Sequence, residues 1–511
     1  MLTDDFKTTR EFWNHALQTA PDKLASVCLD KRLTYAQADE LCQKLATGLQ
    51  AVAKTPRPFI AVCLPNSLEY YLVYWALVKI GGVIVPVNPW LKAESLVTIF
   101  DTVKPNALIV QNDADKEALT AAKERTNFPV IAVENTTQLI PFQSLFDYGN
   151  AFTPVEIAPE DPSIIMHTSG TTSAPKGAVM RHCDLIFNVM TTITAQGFVP
   201  SDIHLLVNPM FHCTALYSSL PAAAAQCTPV IITAETQPEP LLTLIQAEKI
   251  TTFLTVPTIL QRIVTFPTLD DYDLSSLRVI GYAGSFMPVK TVRMLQAKFP
   301  QANLHNFFGL TETISATHVL DGKDSLERPD SIGKPLPFVR PLIVDENLKE
   351  CAPGEVGELL FARKNVIQGY WGRPGKLEES LIDIDGETFF RTGDLACNDS
   401  EGFAFIKGRK KDMIIVGGEN VFAAEVEAAI MLMDSVKEAA VKGVPATGVR
   451  ESLGELIKAY VVPEPGVKLT EADVRRHCFK TLPSYKIPHI VQIMDALPRN
   501  PAGKIQKNLL P

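Results

Sequence analysis

Residues 168–177 read TSGTTSAPKG and place five hydroxyl side chains, two glycines and one lysine close together. Glycine lets backbone N–H groups approach an anion, hydroxyls donate hydrogen bonds and lysine adds positive charge, so this composition predicts a phosphate-binding loop. The order differs from a Walker loop, in which GxxxxGK precedes Ser or Thr, because Lys176 follows Pro175 and precedes Gly177. The alternative interpretation is a solvated linker rich in Ser, Thr and Gly.

Four later segments combine charged side chains with glycine: FFGLTET (307–313), FRTGDLA (390–396), GRKKDMIIVGGEN (408–420) and PRNPAGKI (498–505). Glu312 could supply an oxygen ligand for Mg²⁺, and Asp394 an acceptor for ribose hydroxyls. Arg409 and Lys504 could supply cations for phosphate oxygens. Each segment alone is equally consistent with a charged surface turn. Only the four segments together predict nucleotide transfer.

Two other positions bear on this chemistry. Phe308 and Gly284 could form a flat slot for a nucleotide base. Cys213 follows His212 directly and could be read as a nucleophile with its base, but adjacent residues usually point in different directions, so simple packing is the better interpretation of the cysteine.

The composition indicates what kind of chain must position these residues. A chain of 511 residues exceeds what one hydrophobic core usually organises, so at least two domains are expected. Hydrophobic residues at 46% and charged residues at 21% are typical of a soluble globular protein. The net charge of -9 argues against nucleic acid or an anionic membrane as the main partner.

Neither membrane insertion nor disulfide formation is indicated. The longest apolar run, YYLVYWALV at 70–78, is too short to span a bilayer, and the first residues lack a secretory core. The nine cysteines are scattered, odd in number and never in a CxxC pair, which predicts neither a disulfide framework nor a zinc site. A reducing cytoplasm is the expected location.

Short β-branched apolar runs alternate with amphipathic stretches up to about residue 330, which predicts an α/β fold with largely parallel sheets. The runs read as strands are 59–64, 83–87, 107–110, 163–168, 204–207, 230–233, 252–255 and 277–284. Turns and strands follow over 331–408 and indicate a small β-barrel-like unit. The charged GRKKD stretch then marks a boundary, so we predict an N-terminal domain over 1–408 and a separate small α+β domain over 409–511.

The motifs resemble, in the same order, those of the ANL adenylate-forming superfamily, which includes acyl-CoA synthetases, nonribosomal adenylation domains and luciferases. The resemblance covers nearly the whole chain and rests on TSGTTSAPKG, NPMFHCTAL, GYAGSFMP, FFGLTET, SIGKPLP, GEVGEL, GYW, TGDLA, GRKKDMIIVGGENV, LPSYKIP and PRNPAGKIQK. It implies an enzyme that uses ATP and Mg²⁺ to activate a carboxylic acid as an acyl-AMP. The residues that would hold the ATP phosphates are Thr168, Ser169, Gly170, Thr171, Thr172 and Lys176.

The resemblance also implies two half-reactions in two domain orientations, related by a rotation of the small mobile C-terminal domain about Lys411. In the first, the carboxylate attacks the α-phosphorus of ATP, and Lys504 lessens the repulsion between the two anions. In the second, the turn at Gly417 and Gly418, with Glu419, borders a passage for the acceptor nucleophile.

The acyl and adenine contacts are likewise implied by the resemblance. His212 would pack near the acyl carboxylate and help to gate the acceptor passage, and Thr311 would contact the α-phosphate. Gly284, Phe308 and Tyr282 would border the adenine. The acyl pocket would be lined by His212, Tyr217, Tyr282 and Gly309.

The sequence departs from the superfamily pattern at five positions. Ser173 and Ala174 stand where glycine is frequent, and Phe308 replaces the commoner tyrosine. Ala423 occupies a position that is usually proline, and Ala446 one that is usually aspartate. The last two lie in the small domain, so they bear on the acceptor more than on the adenylation.

The predicted function is therefore an acid–CoA ligase, with an uncharged, apolar acyl group favoured because the expected pocket segments carry no charged side chain apart from His212. A stand-alone amide ligase that transfers the acyl group to an amino acid amine is the runner-up, and a carrier-protein thiol is a third acceptor. A nucleotide-binding module without catalysis is the alternative from another class. The acid itself, the oligomeric state and the pathway do not follow from these residues.

Overall fold

A computed structural model describes residues 6–124, 129–134, 138–168, 175–285, 287–314, 316–499 and 505–511, with the backbone alone at 124, 168, 448, 449 and 452. Several predicted site residues lie outside the described residues: Ser169, Gly170, Thr171, Thr172 and Lys504, together with the side chain of Thr168.

The described residues contain the following strands in chain order: β1 Leu24–Cys28, β2 Lys31–Thr34, β3 Phe59–Cys63, β4 Val83–Pro86, β5 Ala107–Val110, β6 Val130–Ala132, β7 Ile140–Pro141, β8 Pro162–Thr168, β9 Lys176–Arg181, β10 His204–Leu206, β11 Val230–Ile232, β12 Thr252–Thr255, β13 Val279–Ala283, β14 Asn303–Gly309, β15 Ala316–Leu320, β16 Lys334–Pro335, β17 Pro341–Val344, β18 Gly357–Ala362, β19 Leu381–Ile384, β20 Glu387–Asn398, β21 Ala404–Arg409, β22 Met413–Val416, β23 Glu419–Phe422, β24 Val436–Pro445, β25 Glu455–Pro463 and β26 Ile490–Ile493.

The α-helices of the same part of the chain are α1 Thr9–Thr19, α2 Tyr35–Ala53, α3 Leu68–Ile80, α4 Ala93–Val103, α5 Lys116–Glu124, α6 His182–Gln196, α7 Leu220–Ala225, α8 Pro238–Glu248, α9 Pro257–Val264, α10 Val289–Lys298, α11 Ala423–Ile430 and α12 Glu471–Thr481.

Two large sheets form the N-terminal part of the molecule. One has the order β16-β15-β14-β13-β12-β10-β11-β1-β2 and the other β7-β6-β5-β3-β4-β8-β9. The inner pairs of both sheets are parallel, whereas the outermost pairs β1–β2, β14–β15, β15–β16 and β8–β9 are antiparallel. The predicted parallel-rich α/β fold is confirmed.

Helix α3 lies between the two sheets, where it contacts both β1 and β4. It is apolar on all sides, as a helix buried between two layers must be. Its N-terminus is capped by Ser67, whose hydroxyl accepts from the Tyr70 N–H at 3.2 Å, and its C-terminus by Gly81 in the left-handed conformation with φ of 62°. The YYLVYWALV run is therefore a core helix.

The β-rich unit is an antiparallel sheet of five described strands. Strand β20 pairs with β18 along one side, and with β19 and then β21 along the other. Its described edge strands β17 and β19 do not pair with each other, so the sheet is open rather than a closed barrel. It ends at Arg409, immediately before the 3₁₀ turn Lys410–Asp412.

The C-terminal part contains the β22–β23 hairpin and a second sheet of order β24-β25-β26, on which α11 and α12 pack. A separate hydrophobic cluster holds it together, including Ile414, Val426 and Val474. This is the predicted α+β unit, and the exact domain boundaries stay a prediction.

The local context of the TSGTTSAPKG loop differs from the expectation. We expected a strand, the loop and, after KGAVM, a helix from Cys183, as at helix N-termini that bind phosphate. Helix α6 does begin there, at His182, but the intervening residues Lys176–Arg181 form strand β9, which is antiparallel to β8 with Thr168 opposite Lys176. The reason is that β9 continues the sheet as its edge strand, so the loop is a hairpin connection.

In the described part of the chain, no helix is long and apolar enough to cross a membrane. All nine cysteines are free thiols.

Candidate active site

Lys176, Tyr370 and Glu312 come together at the base of the TSGTTSAPKG loop. The Tyr370 hydroxyl donates a hydrogen bond to Glu312 Oε1 at 2.9 Å. Lys176 Nζ lies 5.2 Å from the centre of the Tyr370 ring. Burial and the neighbouring Glu312 carboxylate raise the pKa of Tyr370, so its hydroxyl keeps its proton and remains a donor. An ammonium and a carboxylate thus flank one phenol.

The GYW segment (369–371) is held in place by strand β9. The Trp371 N–H donates to Gly177 O at 2.7 Å, and the Val179 N–H donates to Gly369 O at 3.2 Å. This short antiparallel pairing brings Tyr370 beside Ala178. Tyr370 was assigned no role from the sequence, and the only signal available was an aromatic residue next to a glycine in the GYW segment.

Glu312 sits in the single 3₁₀ turn Thr311–Thr313, which follows β14. The turn is closed by Thr313, whose hydroxyl accepts from the Leu310 N–H at 2.9 Å. The Ile367 N–H donates to Glu312 O at 2.9 Å. The backbone that carries the Glu312 carboxylate is therefore held on both sides of the turn.

The residue after this turn is strained. Ile314 has φ of 64°, which a β-branched residue rarely adopts and which costs on the order of 1–3 kcal/mol. Asn188 on helix α6 supports it, because the Asn188 side-chain amide donates to Ile314 O at 2.8 Å in a buried position. Such strain is concentrated at functional sites, and sequence reasoning missed Asn188 because no pattern links it to the turn.

Gly177 is required by close packing. A Cβ at this position would lie 2.7 Å from Ile165 Cγ2 and 3.1 Å from His167 Nε2.

The His167 imidazole is buried and finds no hydrogen-bond partner among the described residues. Burial, with a contribution from Arg373, lowers the pKa of His167 to about 4, so the ring is neutral at pH 7.

Asp394 and Arg409 form a second cluster. They stand opposite each other on β20 and β21, and Arg409 Nε lies 2.6 Å from Asp394 Oδ1. Asp394 is buried, and its N–H donates to the Thr392 hydroxyl at 2.9 Å. The structure thus pairs two residues that were predicted separately.

A cavity of about 250 Å³ lies beside this pair. One wall comes from the β-rich sheet, with Asp394 on β20 and Arg409 at the end of β21, and the other from the C-terminal part, with Phe422, Ala423 and Lys507. The cavity therefore lies at the boundary between the two predicted domains.

The predicted hinge and acceptor turn lie on either side of β22. Lys411 is the middle residue of the 3₁₀ turn Lys410–Asp412 that joins β21 to β22. Gly417 and Gly418 form the β22–β23 turn with φ of 60° and 87°, which glycine adopts without strain. The turn is exposed, and the Gly417 N–H donates to Leu453 O at 2.8 Å.

The segment around His212 leads into a buried π-helical turn, Thr214–Ser219. Turns of this kind are frequent at functional sites. His212 itself is only partly buried, and its ring packs at 5.0 Å against Phe211. Tyr217 is buried, and burial together with the nearby Cys213 raises its pKa. The Glu312 carboxylate contributes to the same rise in the pKa of Tyr217.

The residues predicted to contact the adenine (Gly284 and Phe308), the acyl group (Gly309) and the α-phosphate (Thr311) lie at or just after the ends of β13 and β14. Phe308 and Thr311 are partly buried, and Gly309 follows a register irregularity in the β14–β15 pairing, a feature common next to active sites. Gly284 has φ of 89° and faces open space where a Cβ would be.

Tyr282 is not brought to the other residues. It is fully buried in the hydrophobic cluster that contains Ile280 and Met287. Alternate residues of a strand face opposite sides, so Tyr282 points with Ile280 into the core, away from Gly281 and Ala283. A contact between this side chain and the ligand stays a prediction, and the burial of Tyr282 argues against it.

The Ala423 departure fits its local structure. Ala423 is the first residue of α11, where the N–H has no partner within the helix, and Phe422 before it is extended, with φ of -87° and ψ of 119°. Proline is favoured at this position. We expect Ala423→Pro to raise the free energy of unfolding by about 0.5 kcal/mol. Urea unfolding followed by circular dichroism would measure this.

Ala428→Pro is the matched control, because it places the same change in the interior of α11 and should cost about 3 kcal/mol. A loss of stability in Ala423→Pro comparable to that of the control would show that the backbone N–H of Ala423 has a partner that proline removes.

The sequence matches two protein families. Residues 12–371 match the family described as AMP-binding enzyme, and residues 425–504 match the one described as AMP-binding enzyme C-terminal domain.

Curated relatives extend over almost the whole chain. A feruloyl-CoA synthase of an Amycolatopsis species is 30% identical over 93% of this chain and 92% of its own length. A fatty acid–acyl-carrier-protein ligase, ScoC, of Streptomyces coeruleorubidus is 31% identical over 96% and 94%. Among solved structures, ATP-bound MatB from Rhodopseudomonas palustris aligns with a TM-score of 0.87 at 27% identity, covering 98% of both chains.

Proposed function

The chain belongs to the AMP-binding enzyme family, within the ANL adenylate-forming superfamily, and on this basis we propose that it is an ATP-dependent carboxylic acid–CoA ligase. In the first half-reaction a carboxylate oxygen attacks the α-phosphorus of ATP, the bond to the β-phosphate breaks, and acyl-AMP and pyrophosphate form. In the second, the CoA sulfur attacks the acyl carbon, the bond to AMP breaks, and the thiol proton is released.

The Lys176–Tyr370–Glu312 cluster is the observation that carries the proposal. Lys176 provides a cation for the phosphate oxygens that leave as pyrophosphate. Mg²⁺ is usually held by one or two carboxylates and by the substrate phosphates. The Glu312 carboxylate, which the Tyr370 hydroxyl orients, fits this requirement as an oxygen ligand. When bound there, Mg²⁺ would neutralise charge that develops on the phosphates.

The remaining residues act on other parts of the substrates. Asp394 is placed to accept from the ribose hydroxyls, and Arg409 to pair with phosphate oxygens once the nucleotide competes for it. Lys504, which lies outside the described residues, would bring the carboxylate and the α-phosphate together. Little covalent work is left to the protein, so positioning and charge stabilisation supply most of the rate.

The buried turn Thr214–Ser219 supports an uncharged, apolar acyl group. Ala215, Leu216 and Tyr217 are all buried there. If the acyl group binds beside this turn, as we propose, apolar side chains there favour an apolar acid and penalise a second charge. His212 is only partly buried and precedes this turn in the chain, and we propose that it borders the acceptor passage.

A carrier-protein thiol is the second candidate acceptor, because one of the relatives is named a fatty acid–acyl-carrier-protein ligase. The chemistry of transfer is the same for either thiol. An amide-forming reaction would need an amine in place of the thiol.

Mass spectrometry of the products from one mixture would test the proposal. The mixture holds the purified protein, MgATP, a panel of carboxylic acids, CoA and amino acids, with a Glu312→Ala variant as the background control. New acyl-CoA would support the proposal and identify the acid. Acyl-amino acid amide with CoA untouched would contradict it and make this an amide ligase.

The hydrogen bond from Tyr370 to Glu312 gives a specific prediction. Tyr370→Phe keeps the ring but removes a bond to a charged group, which is worth about 1.5 kcal/mol or more. We expect the Mg²⁺-dependent rate of pyrophosphate release to fall about tenfold. The rate is measured as a function of Mg²⁺ concentration.

Tyr74→Phe is the control for this change, because the Tyr74 hydroxyl is also buried but has no hydrogen-bond partner among the described residues. If Tyr370→Phe matched the wild type and this control, the orientation of Glu312 by Tyr370 would have no part in catalysis.

A further inference from the structure

We propose that Arg373 is a second cation for the pyrophosphate that leaves in the first half-reaction, acting beside Tyr370 together with Lys176. This inference deepens the proposed function and rests on it, because pyrophosphate is a product of that reaction. Arg373 was assigned no role from the sequence, since it lies two residues beyond the GYW segment.

A tight turn places Arg373 beside Tyr370. The Arg373 N–H donates to Tyr370 O at 3.1 Å, and the two residues form an antiparallel bridge. Gly372 between them has φ of 66°, which allows the chain to reverse within four residues. On its other side, Tyr370 forms a bridge with Ala178 on β9. Tyr370 therefore lies between β9 and Arg373.

The pairing also shows which face of this small sheet each side chain shares. Residues directly opposite each other on antiparallel strands have side chains on the same face, so Tyr370 shares its face with Ala178 and Arg373. Lys176 shares it too, because alternate residues of β9 face the same side. The position of Lys176 Nζ, 5.2 Å from the centre of the Tyr370 ring, agrees with this assignment. Two cations thus flank the phenol that donates to Glu312.

The exposure of Arg373 differs from that of its neighbours in the turn. Arg373 is partly buried, although Gly372 before it and Pro374 after it are exposed. A solvated turn residue would be exposed as they are. Removing part of a charged side chain from water costs free energy unless an anion balances the charge.

The protein itself does not supply this anion. Among the residues that the structure describes, neither Lys176 nor Arg373 forms a salt bridge with a carboxylate. Other arginines nearby in the chain are already engaged, because Arg363 donates to two backbone carbonyls and Arg181 pairs with Asp184 at 2.7 Å. Lys176 and Arg373 are therefore available for an anionic ligand.

Pyrophosphate suits this pair of cations. A guanidinium donates two parallel hydrogen bonds to a phosphate group, and an ammonium adds a point charge. Lys176 is already assigned to the phosphates that leave, and Arg373 lies on the same face beside the same phenol. Both cations would stabilise the negative charge that develops on the leaving group.

Calorimetry with magnesium pyrophosphate tests this inference without turnover. Arg373→Gln should bind magnesium pyrophosphate at least tenfold more weakly than the wild type, because it removes the charge and the bidentate donor. In acid-dependent ATP–pyrophosphate exchange, the same variant should raise the KM for pyrophosphate about tenfold and leave the KM for the acid within twofold. Transfer to CoA from supplied acyl-AMP should stay within twofold of the wild type, because pyrophosphate takes no part in it.

Two further variants separate a binding role from a structural one. Arg373→Lys keeps the charge but not the bidentate donor, so its affinity for magnesium pyrophosphate should lie within threefold of the wild type. Lys376→Met is the matched control, because Lys376 is a cation of the same loop that already pairs with Glu379 at 2.5 Å. It should leave the affinity unchanged.

Unchanged affinity in Arg373→Gln, an equal loss in Lys376→Met, or a fall in transfer as large as that in exchange would each overturn the role of Arg373. A wild type that binds magnesium pyrophosphate through Arg373 but shows exchange with no carboxylic acid would contradict the proposed function and leave the anion site standing. Exchange in the wild type with an unaffected Arg373→Gln would overturn this inference alone.

Discussion

Lys504→Ala should abolish acyl-AMP formation while leaving transfer from supplied acyl-AMP largely intact. The reason is electrostatic, because a carboxylate and a triphosphate repel each other and must approach to bonding distance in the first half-reaction. A cation at that point of contact is worth on the order of a thousandfold in rate. The second half-reaction joins a thiol to an ester-like carbonyl and does not need this cation.

The measurement is paired, with acid-dependent ATP–pyrophosphate exchange for the first step and acyl-CoA formation from synthetic acyl-AMP for the second. Lys480→Ala serves as the matched control, since Lys480 is an exposed lysine on α12 of the same small domain. Equal loss of both half-reactions in Lys504→Ala would contradict the use of two domain orientations.

Lys411→Pro should show the opposite selectivity. The residue lies in the one-turn connection Lys410–Asp412 between β21 and β22. Proline fixes its own φ near -65° and biases Lys410 away from the helical region, so it restricts rotation about this connection. We expect acyl transfer to fall on the order of a hundredfold, about 2.7 kcal/mol of barrier, with adenylation reduced much less.

The same two assays measure this result, and Lys411→Ala is the control because it removes the side chain but leaves the backbone free. A proline variant that loses adenylation as severely as transfer, or an alanine variant with the same profile, would show that Lys411 does not act as a hinge.

Most of the fold could be predicted from the sequence, because hydrophobic periodicity reports burial directly. The run at 107–110 is β5 without a change of bounds, and the apolar stretch at 70–78 lies within helix α3. The hydrophobic pattern could not show that Lys176–Arg181 form strand β9. The loop before these residues has a composition that is equally compatible with the start of a helix. Only the pairing of Lys176–Arg181 with β8 identifies them as a strand.

The site was predicted in part for the same physical reason. Glu312, Asp394 and Arg409 lie in recognisable motifs, and the structure adds the partners that orient them. Tyr370 and Asn188 were missed because their roles depend on contacts between elements distant in the chain. The burial of Tyr282 was not predicted because a motif identifies a position on a strand but not the face to which its side chain points.

The fate of the carboxylate oxygen tests the central claim most directly. A substrate acid labelled with ¹⁸O in its carboxylate is incubated with the enzyme, MgATP and CoA, and the released AMP is analysed by mass spectrometry. If an acyl-AMP forms, one labelled oxygen must remain on AMP after the acyl group leaves. Unlabelled AMP, or label found in inorganic phosphate, would contradict adenylation and require a different activation of the acid.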